Sequence, residues 1–102
     1  MSSKLEELYK KIFEILEYGD FYDITQYLNG YLSKDGFRIT DHSYNIAMIS
    51  AYMNKEKTAL YTEILMITGL KILVMCKEVQ GDGNIHCIPF AYPPTSIISS
   101  AK

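Results

Sequence analysis

The side chains in this chain that are best suited to metal binding or covalent chemistry are two cysteines and two histidines: Cys76, Cys87, His42 and His86. Zinc sites usually draw such ligands from close pairs, such as Cys-x-x-Cys or His-x-x-x-His. Neither spacing occurs, and adjacent residues such as His86 and Cys87 point to opposite faces of a strand. We therefore expect no metal and no cofactor.

The two cysteines flank the segment Gly81-Asp82-Gly83-Asn84, whose composition is typical of a hairpin turn. A two-residue Gly81-Asp82 loop would set Cys76 directly opposite Cys87, whereas other loops would place them diagonally. A cross-strand disulfide is one expectation. Two buried thiols in a reducing cytosol are the other, and the sequence leaves both open.

Catalytic motifs are missing from the sequence. It contains no Gly-x-Ser-x-Gly elbow, and nothing in the spacing of the acidic residues and histidines requires an acid–base site. We expect that the chain is not an enzyme. A small hydrolase stays open as an alternative, and it would need a deep pocket that pairs His42 or His86 with an acidic group.

Nine tyrosines and no tryptophan give the chain its aromatic character. A tyrosine offers a large apolar area with a polar tip, which suits protein interfaces. Filling a small core is the other interpretation. The residues predicted to line a site for a peptide or partner protein are Tyr22, Tyr27, Tyr31, Tyr44, Tyr52, Ile88, Phe90 and Tyr92.

The elements that must position these residues begin with two helices. Apolar residues at helical spacing predict a helix over 4–18, ended by Gly19, and a second over 23–34. Residues 37–40 alternate like a short strand. Residues 44–52 fit a strand or a helix, and we favour a strand because it would give 37–40 a hairpin partner.

The second half is predicted to contain a helix and a hairpin. Asn54 is a good N-cap for a helix over 55–68. Residues 71–79 are apolar on both faces, as in a strand covered on both sides. Pro89 cannot donate to a ladder, so the returning strand over 85–90 is predicted to be an edge that an extended peptide could join.

A short echo suggests how the halves are related. The pattern Leu-Tyr-x-x-Ile-x-x-Ile starts at Leu8 and again at Leu60. The predicted fold is α+β, with two pseudo-repeated helix–β-hairpin motifs, at about 1–53 and 54–94, packed into one small domain. Chance similarity between core positions is the alternative. Residues 95–102 are predicted to be a disordered tail.

Composition and net charge limit the classes of partner that we expect for the chain. The chain has 102 residues, 48% of them hydrophobic, a net charge of −2 and a single arginine, Arg38. We expect no nucleic-acid partner, because phosphate binding needs a basic face. No apolar run approaches the ~20 residues of a membrane span. With no signal peptide in view, the expected location is the cytoplasm.

The Ile- and Tyr-rich composition, the lack of tryptophan and the Leu8-Tyr9/Leu60-Tyr61 echo resemble the small orphan proteins encoded by viruses of hyperthermophilic archaea. This resemblance implies a protein made in the host cytoplasm, with two like motifs framing a groove for protein–protein contact. The expected function is a non-enzymatic interaction module that binds an extended peptide or partner segment, with homodimerisation through an exposed strand equally compatible. The main alternative is a winged-helix DNA-binding regulator with a recognition helix in 43–53.

Overall fold

The computed structural model of the chain describes residues 4–32, 38–39, 45–79 and 83–92. The elements in chain order are α1 (Lys4–Tyr18), α2 (Phe21–Leu32), β1 (Ile46–Met53), β2 (Ala59–Met66), β3 (Lys71–Glu78) and β4 (Ile85–Tyr92). The strands form one antiparallel sheet in the order β1-β2-β3-β4. The predicted α+β class is confirmed.

Both helices pack on the same face of the sheet, because each has an apolar stripe. Leu5, Leu8 and Ile12 recur every three or four residues of α1 and are buried. In α2 the buried apolar residues include Ile24 and Leu28. Together they form one core with alternate residues of the strands. We call this side of the sheet the covered face.

The junction between the helices follows the capping rules. The Gly19 N–H donates to the Ile15 carbonyl at 2.7 Å, which ends α1 where the sequence predicts. Asp20 and Asp23 then cap α2 reciprocally: the Asp23 N–H donates to Asp20 Oδ1 at 3.0 Å, and the Asp20 N–H to Asp23 Oδ2 at 3.2 Å. Both predicted helices are confirmed, and α2 begins two residues earlier than expected.

The predicted helix over 55–68 is wrong, because this segment forms a turn and β2. Asn54 does accept backbone N–H groups, but those of Thr58 and Ala59, at 2.8 and 2.9 Å, across a four-residue hairpin loop. Such a side chain stabilises an N-cap and an Asx turn in the same way. Burial of Leu60, Thr62, Ile64 and Met66 follows a period of two, which the helical period had obscured.

The echo therefore spans two different structures. The copy that starts at Leu8 lies in α1, and the copy that starts at Leu60 lies in β2 and the turn after it. The same spacing of apolar residues thus occurs once in a helix and once in a strand. The predicted pair of like helix–hairpin motifs is not confirmed.

Three of the other predicted strands are present in the structure. The strand favoured over 44–52 is present as β1, from Ile46, and it pairs with β2, whereas 37–40 was the expected partner. The strands predicted over 71–79 and 85–90 are confirmed as β3 and β4. Of the predicted strand 37–40, only Arg38 and Ile39 are described, and neither is in a strand. Ile39 is buried, and its N–H donates to Asn29 Oδ1 at 2.7 Å. The predicted tail 95–102 lies outside the described residues.

Candidate protein-interaction surface

The second face of the sheet has no helix among the described residues, and we call it the open face. Beside a shorter row of Ala59, Lys77 and His86, strand pairing arranges twelve of its side chains in three full rows of four. The rows, from β1 to β4, are Met48, Leu65, Lys71 and Tyr92; Ser50, Glu63, Leu73 and Phe90; and Tyr52, Tyr61, Met75 and Ile88. Nine of these twelve side chains are apolar or aromatic.

The composition of the open face departs from that of a sheet face adapted to water. Antiparallel sheets with one solvated face normally alternate apolar and polar residues. Here the outermost apolar side chains keep between 40% and 56% of their surface exposed: Met48, Tyr52, Ile88, Phe90 and Tyr92. Contiguous apolar exposure of this kind is typical of surfaces that contact a partner.

A small polar network crosses the open face from β1 to β3. The Tyr52 hydroxyl donates to Glu63 Oε2 at 2.6 Å, and Lys71 Nζ lies 3.5 Å from Glu63 Oε1. The Tyr52 ring stacks on Tyr61 with 5.4 Å between ring centroids. The carboxylate is thus satisfied within the face, which lets the apolar groups around it be covered without leaving a bare charge.

The same network shifts two pKa values. The hydrogen bond from Tyr52 lowers the pKa of Glu63; burial, the next largest effect, opposes it, and Lys71 adds to the lowering. The hydrogen bond to Glu63 raises the pKa of Tyr52. Both shifts favour the protonation states that keep the hydrogen bond in place near neutral pH.

The residues predicted to contact a partner separate into two groups. Four of them, Tyr52, Ile88, Phe90 and Tyr92, lie together on the open face. The β4 members share it because they are two residues apart. Tyr44 lies outside the described residues.

The predicted tyrosines of α2 are on the other side of the sheet. Tyr27 and Tyr31 line a cleft of about 330 Å³ together with Leu8 and Ile85. Their rings meet edge to face, 5.8 Å apart, and burial, followed by the hydrogen bond with Tyr31, raises the pKa of Tyr27 to about 12. Tyr22 is exposed in the first turn of α2. The predicted set is therefore not one site.

Cys76 and Cys87 form a disulfide, and they are directly opposite each other on β3 and β4. Both are buried on the covered face. The bond links the edge strand β4 to the inner strand β3 on the covered face. His86 lies on the opposite side of β4, across from Lys77, and the described residues contain no group of three metal-binding side chains.

The two edge strands differ in what their backbones offer. The Val79 N–H donates to the Asn84 carbonyl at 2.8 Å, and alternation along the pair turns the Pro89 nitrogen toward the free edge of β4. Proline has no N–H there, so the middle of this edge lacks a donor. The prediction of an edge at β4 is confirmed, but the same proline makes it a poor place for strand addition.

The other edge, β1, has no such block. The Asn54 N–H donates to the Ala59 carbonyl at 3.0 Å. Because hydrogen-bonded pairs recur at every second position, the backbone groups of Ile49, Ala51 and Met53 point away from β2. Among the described residues, only β2 pairs with β1, so this edge presents a row of donors and acceptors.

Sequence reasoning missed the central part of the open face: Tyr61, Leu65, Leu73 and Met75. The first two fell in the wrongly predicted helix, and the others in a strand expected to be covered on both sides. One signal was available. The strand over 71–79 is apolar on both faces, and two helices suffice to cover only one face of a four-stranded sheet.

Comparison with other proteins adds nothing to this geometry. No protein-family model, curated protein or solved structure matches the chain. Neither of the described helices has the length and apolar character to cross a membrane.

Proposed function

We propose that the chain is a non-enzymatic protein–protein interaction module whose open face is buried against a partner protein. The observation that carries this proposal is the grid of nine apolar side chains on a sheet face with no covering helix among the described residues. Removing apolar surface from water supplies most of the free energy of protein association.

The open face also defines the chemistry of the partner. Its rings and aliphatic side chains surround a single carboxylate, Glu63, whose bonds to Tyr52 and Lys71 are already made. The matching surface is therefore mainly apolar, with a polar group over Glu63. Covering each half-exposed large side chain would contribute about 1 kcal/mol, so the contact draws on the whole grid rather than on one anchor.

The two alternatives from the sequence have less support. A winged-helix regulator needs a recognition helix in 43–53, and residues 46–53 of this segment are β1. A hydrolase centred on His86 needs a pocket, whereas His86 is exposed on β4. The groove between two like motifs has no counterpart among the described elements, and the open face takes its place in the proposal.

A partner-free experiment tests the first step of the proposal. The dye ANS fluoresces on exposed apolar surface, so the native chain should bind it, and Ile88→Ser with Phe90→Ser should reduce the signal. Tyr18→Ser is the matched control because Tyr18 is 86% exposed on α1, away from the sheet. Equal loss from the control would remove the basis of the proposal.

Methionine footprinting tests the second step. Met48 and Met75 lie on the open face, whereas Met66 is buried on the covered face. A partner captured by the wild-type chain and by Tyr18→Ser, but not by the double variant, should slow peroxide oxidation of Met48 and Met75. A bound partner that leaves their oxidation unchanged would place the interface elsewhere and contradict the proposal.

A further inference from the structure

We infer that β1 pairs edge to edge, antiparallel, with β1 of a second copy of this chain. The inference concerns a different surface from the open face. It begins with the backbone groups of Ile49, Ala51 and Met53, which point away from β2 along five residues of edge.

The sequence of β1 is that of a strand made for pairing. Its eight residues, Ile-Ala-Met-Ile-Ser-Ala-Tyr-Met, include no charge, proline or glycine. Exposed edges are usually protected by lysine, proline or a bulge. In β4 Pro89 provides this protection, whereas in β1 the only irregularity is a bulge between Ile46 and Met48, before the free stretch begins.

A second copy fits this edge by symmetry. A two-fold axis at Ala51 sets Ala51 opposite its counterpart, and Ile49 opposite Met53 of the second copy. All three positions are then hydrogen-bonded, which satisfies the same groups on both chains. The small Ala51 side chain at the axis points to the covered face, where a larger one would meet its symmetry mate.

The neighbouring helix supplies apolar surface for the same contact. A groove of about 560 Å³ lies between α1 and the end of β1, where Tyr9 and Met53 line it beside the charged residues Glu6, Lys10 and Lys57. Phe13 is one turn along from Tyr9, packs against its ring with 6.3 Å between centroids, and is 49% exposed. A strand added to β1 would pass beside these rings and cover them.

The occupant is a second copy rather than an unrelated peptide because the edge and the strand that fills it have matching requirements. A partner strand must be free of proline at its paired positions and apolar on the helix side, and β1 itself meets both conditions. The resulting eight-stranded sheet would place two open faces side by side, so dimer formation leaves the proposed partner site accessible.

The first test is the mass of the full chain in solution. At about 100 µM, where micromolar association is nearly complete, sedimentation should give the mass of two chains. Ala51→Pro removes the donor at the axis on both copies and copies the arrangement at Pro89. We expect it to weaken dimerisation at least about tenfold, with an unchanged circular dichroism spectrum. A monomeric wild-type chain, or a dimer unaffected by Ala51→Pro, would overturn the inference.

A cysteine variant that gains a cross-link tests the same pairing even if Ala51→Pro misfolds. Ala51→Cys places two thiols across the axis at a Cα separation of about 5.5 Å, within disulfide range. Mild oxidation should give a covalent dimer, whereas exposed Ala47→Cys in the bulge should not. Equal cross-linking of both would reject the register. A dimer lost in Ile88→Ser/Phe90→Ser but kept in Ala51→Pro would show association through the open face, and a chain that pairs only with added peptide strands would show a foreign occupant; either result rejects the inference.

Discussion

The two faces of the sheet are built from the same strands and both are mainly apolar, yet only one is packed. On β2, Ile64 points to the covered face and is fully buried, whereas the next residue, Leu65, points to the open face and is half-buried. The difference comes from the helices and not from the strands. Apolar composition alone therefore does not reveal which sheet face forms the core.

The largest contrast between the faces should appear in neighbouring substitutions on β2. Ile64→Ala leaves a cavity in the core and should lower the free energy of unfolding by about 2–5 kcal/mol. Leu65→Ala should cost about 1 kcal/mol because its surroundings are partly water. Urea unfolding measures both, and similar losses would mean that the open face is packed as tightly as the core.

The disulfide should raise the free energy of unfolding of the chain without changing the apolar surface exposed on the open face. Its cysteines are 11 residues apart, and a closed loop of this size contributes about 3 kcal/mol in the chain-entropy treatment. Cys76→Ala with Cys87→Ala should lose about that much in urea unfolding while ANS binding of the native state stays the same. The double variant should also become insensitive to reductant, and a persistent reductant effect would contradict the assignment.

Removal of a hydroxyl should affect stability differently on the two faces, although the expected change is smaller. Thr62 is fully buried on the covered face, and its Oγ1 has no hydrogen-bond partner among the described residues. Thr62→Val should stabilise the chain by up to about 1 kcal/mol because it removes an unpaired buried group. Ser50 is exposed on the open face, so Ser50→Val should change stability little. Destabilisation by Thr62→Val would reveal a partner for the hydroxyl.

The smallest effect is the ionisation of one tyrosine on each side. Tyr27 has its pKa raised to about 12, mainly by burial, whereas Tyr52 has its pKa raised mainly by Glu63. Each shift favours the neutral phenol, so its contribution to stability is complete below the ordinary pKa of about 10 and is lost as pH rises through the folded value. In absorbance titrations Glu63→Gln should lower the Tyr52 midpoint and leave the Tyr27 midpoint unchanged.

A control for these titrations is Tyr27→Phe, which should remove the latest midpoint. If Glu63→Gln shifts that same late midpoint, the two tyrosines are coupled through the sheet. The two faces would then not be electrostatically independent.

Local chemistry explains which parts of the fold were predictable. The helix stripe of α1, the termination at Gly19 and the edge position signalled by Pro89 each depend on interactions within a few residues. The helix predicted over 55–68 failed because Asn54 is an equally good N-cap and turn residue, and the apolar positions fit two periods. Only the position of α1 and α2 over the sheet decides between them, and this is a long-range property.

The candidate site was predictable in part for the same reason. Period-two spacing placed Ile88, Phe90 and Tyr92 on one side of a strand without any knowledge of the sheet. Their position beside Tyr52 and Leu73 depends on the register of three hairpins. The separation of Tyr27 and Tyr31 from that group follows from the side of the sheet on which α2 packs, which the sequence does not state.

The order of the elements has a consequence for synthesis of the chain. Each strand lies beside its neighbour in sequence, and the turns are short, such as the three residues between Met66 and Leu70 that close with Gly69 at a φ of 97°. The sheet can thus form hairpin by hairpin as it leaves the ribosome. The two helices emerge first, however, and their buried stripes have no surface to pack on until the meander follows. The nascent chain consequently passes through a stage at which the apolar stripes of α1 and α2 are exposed to water.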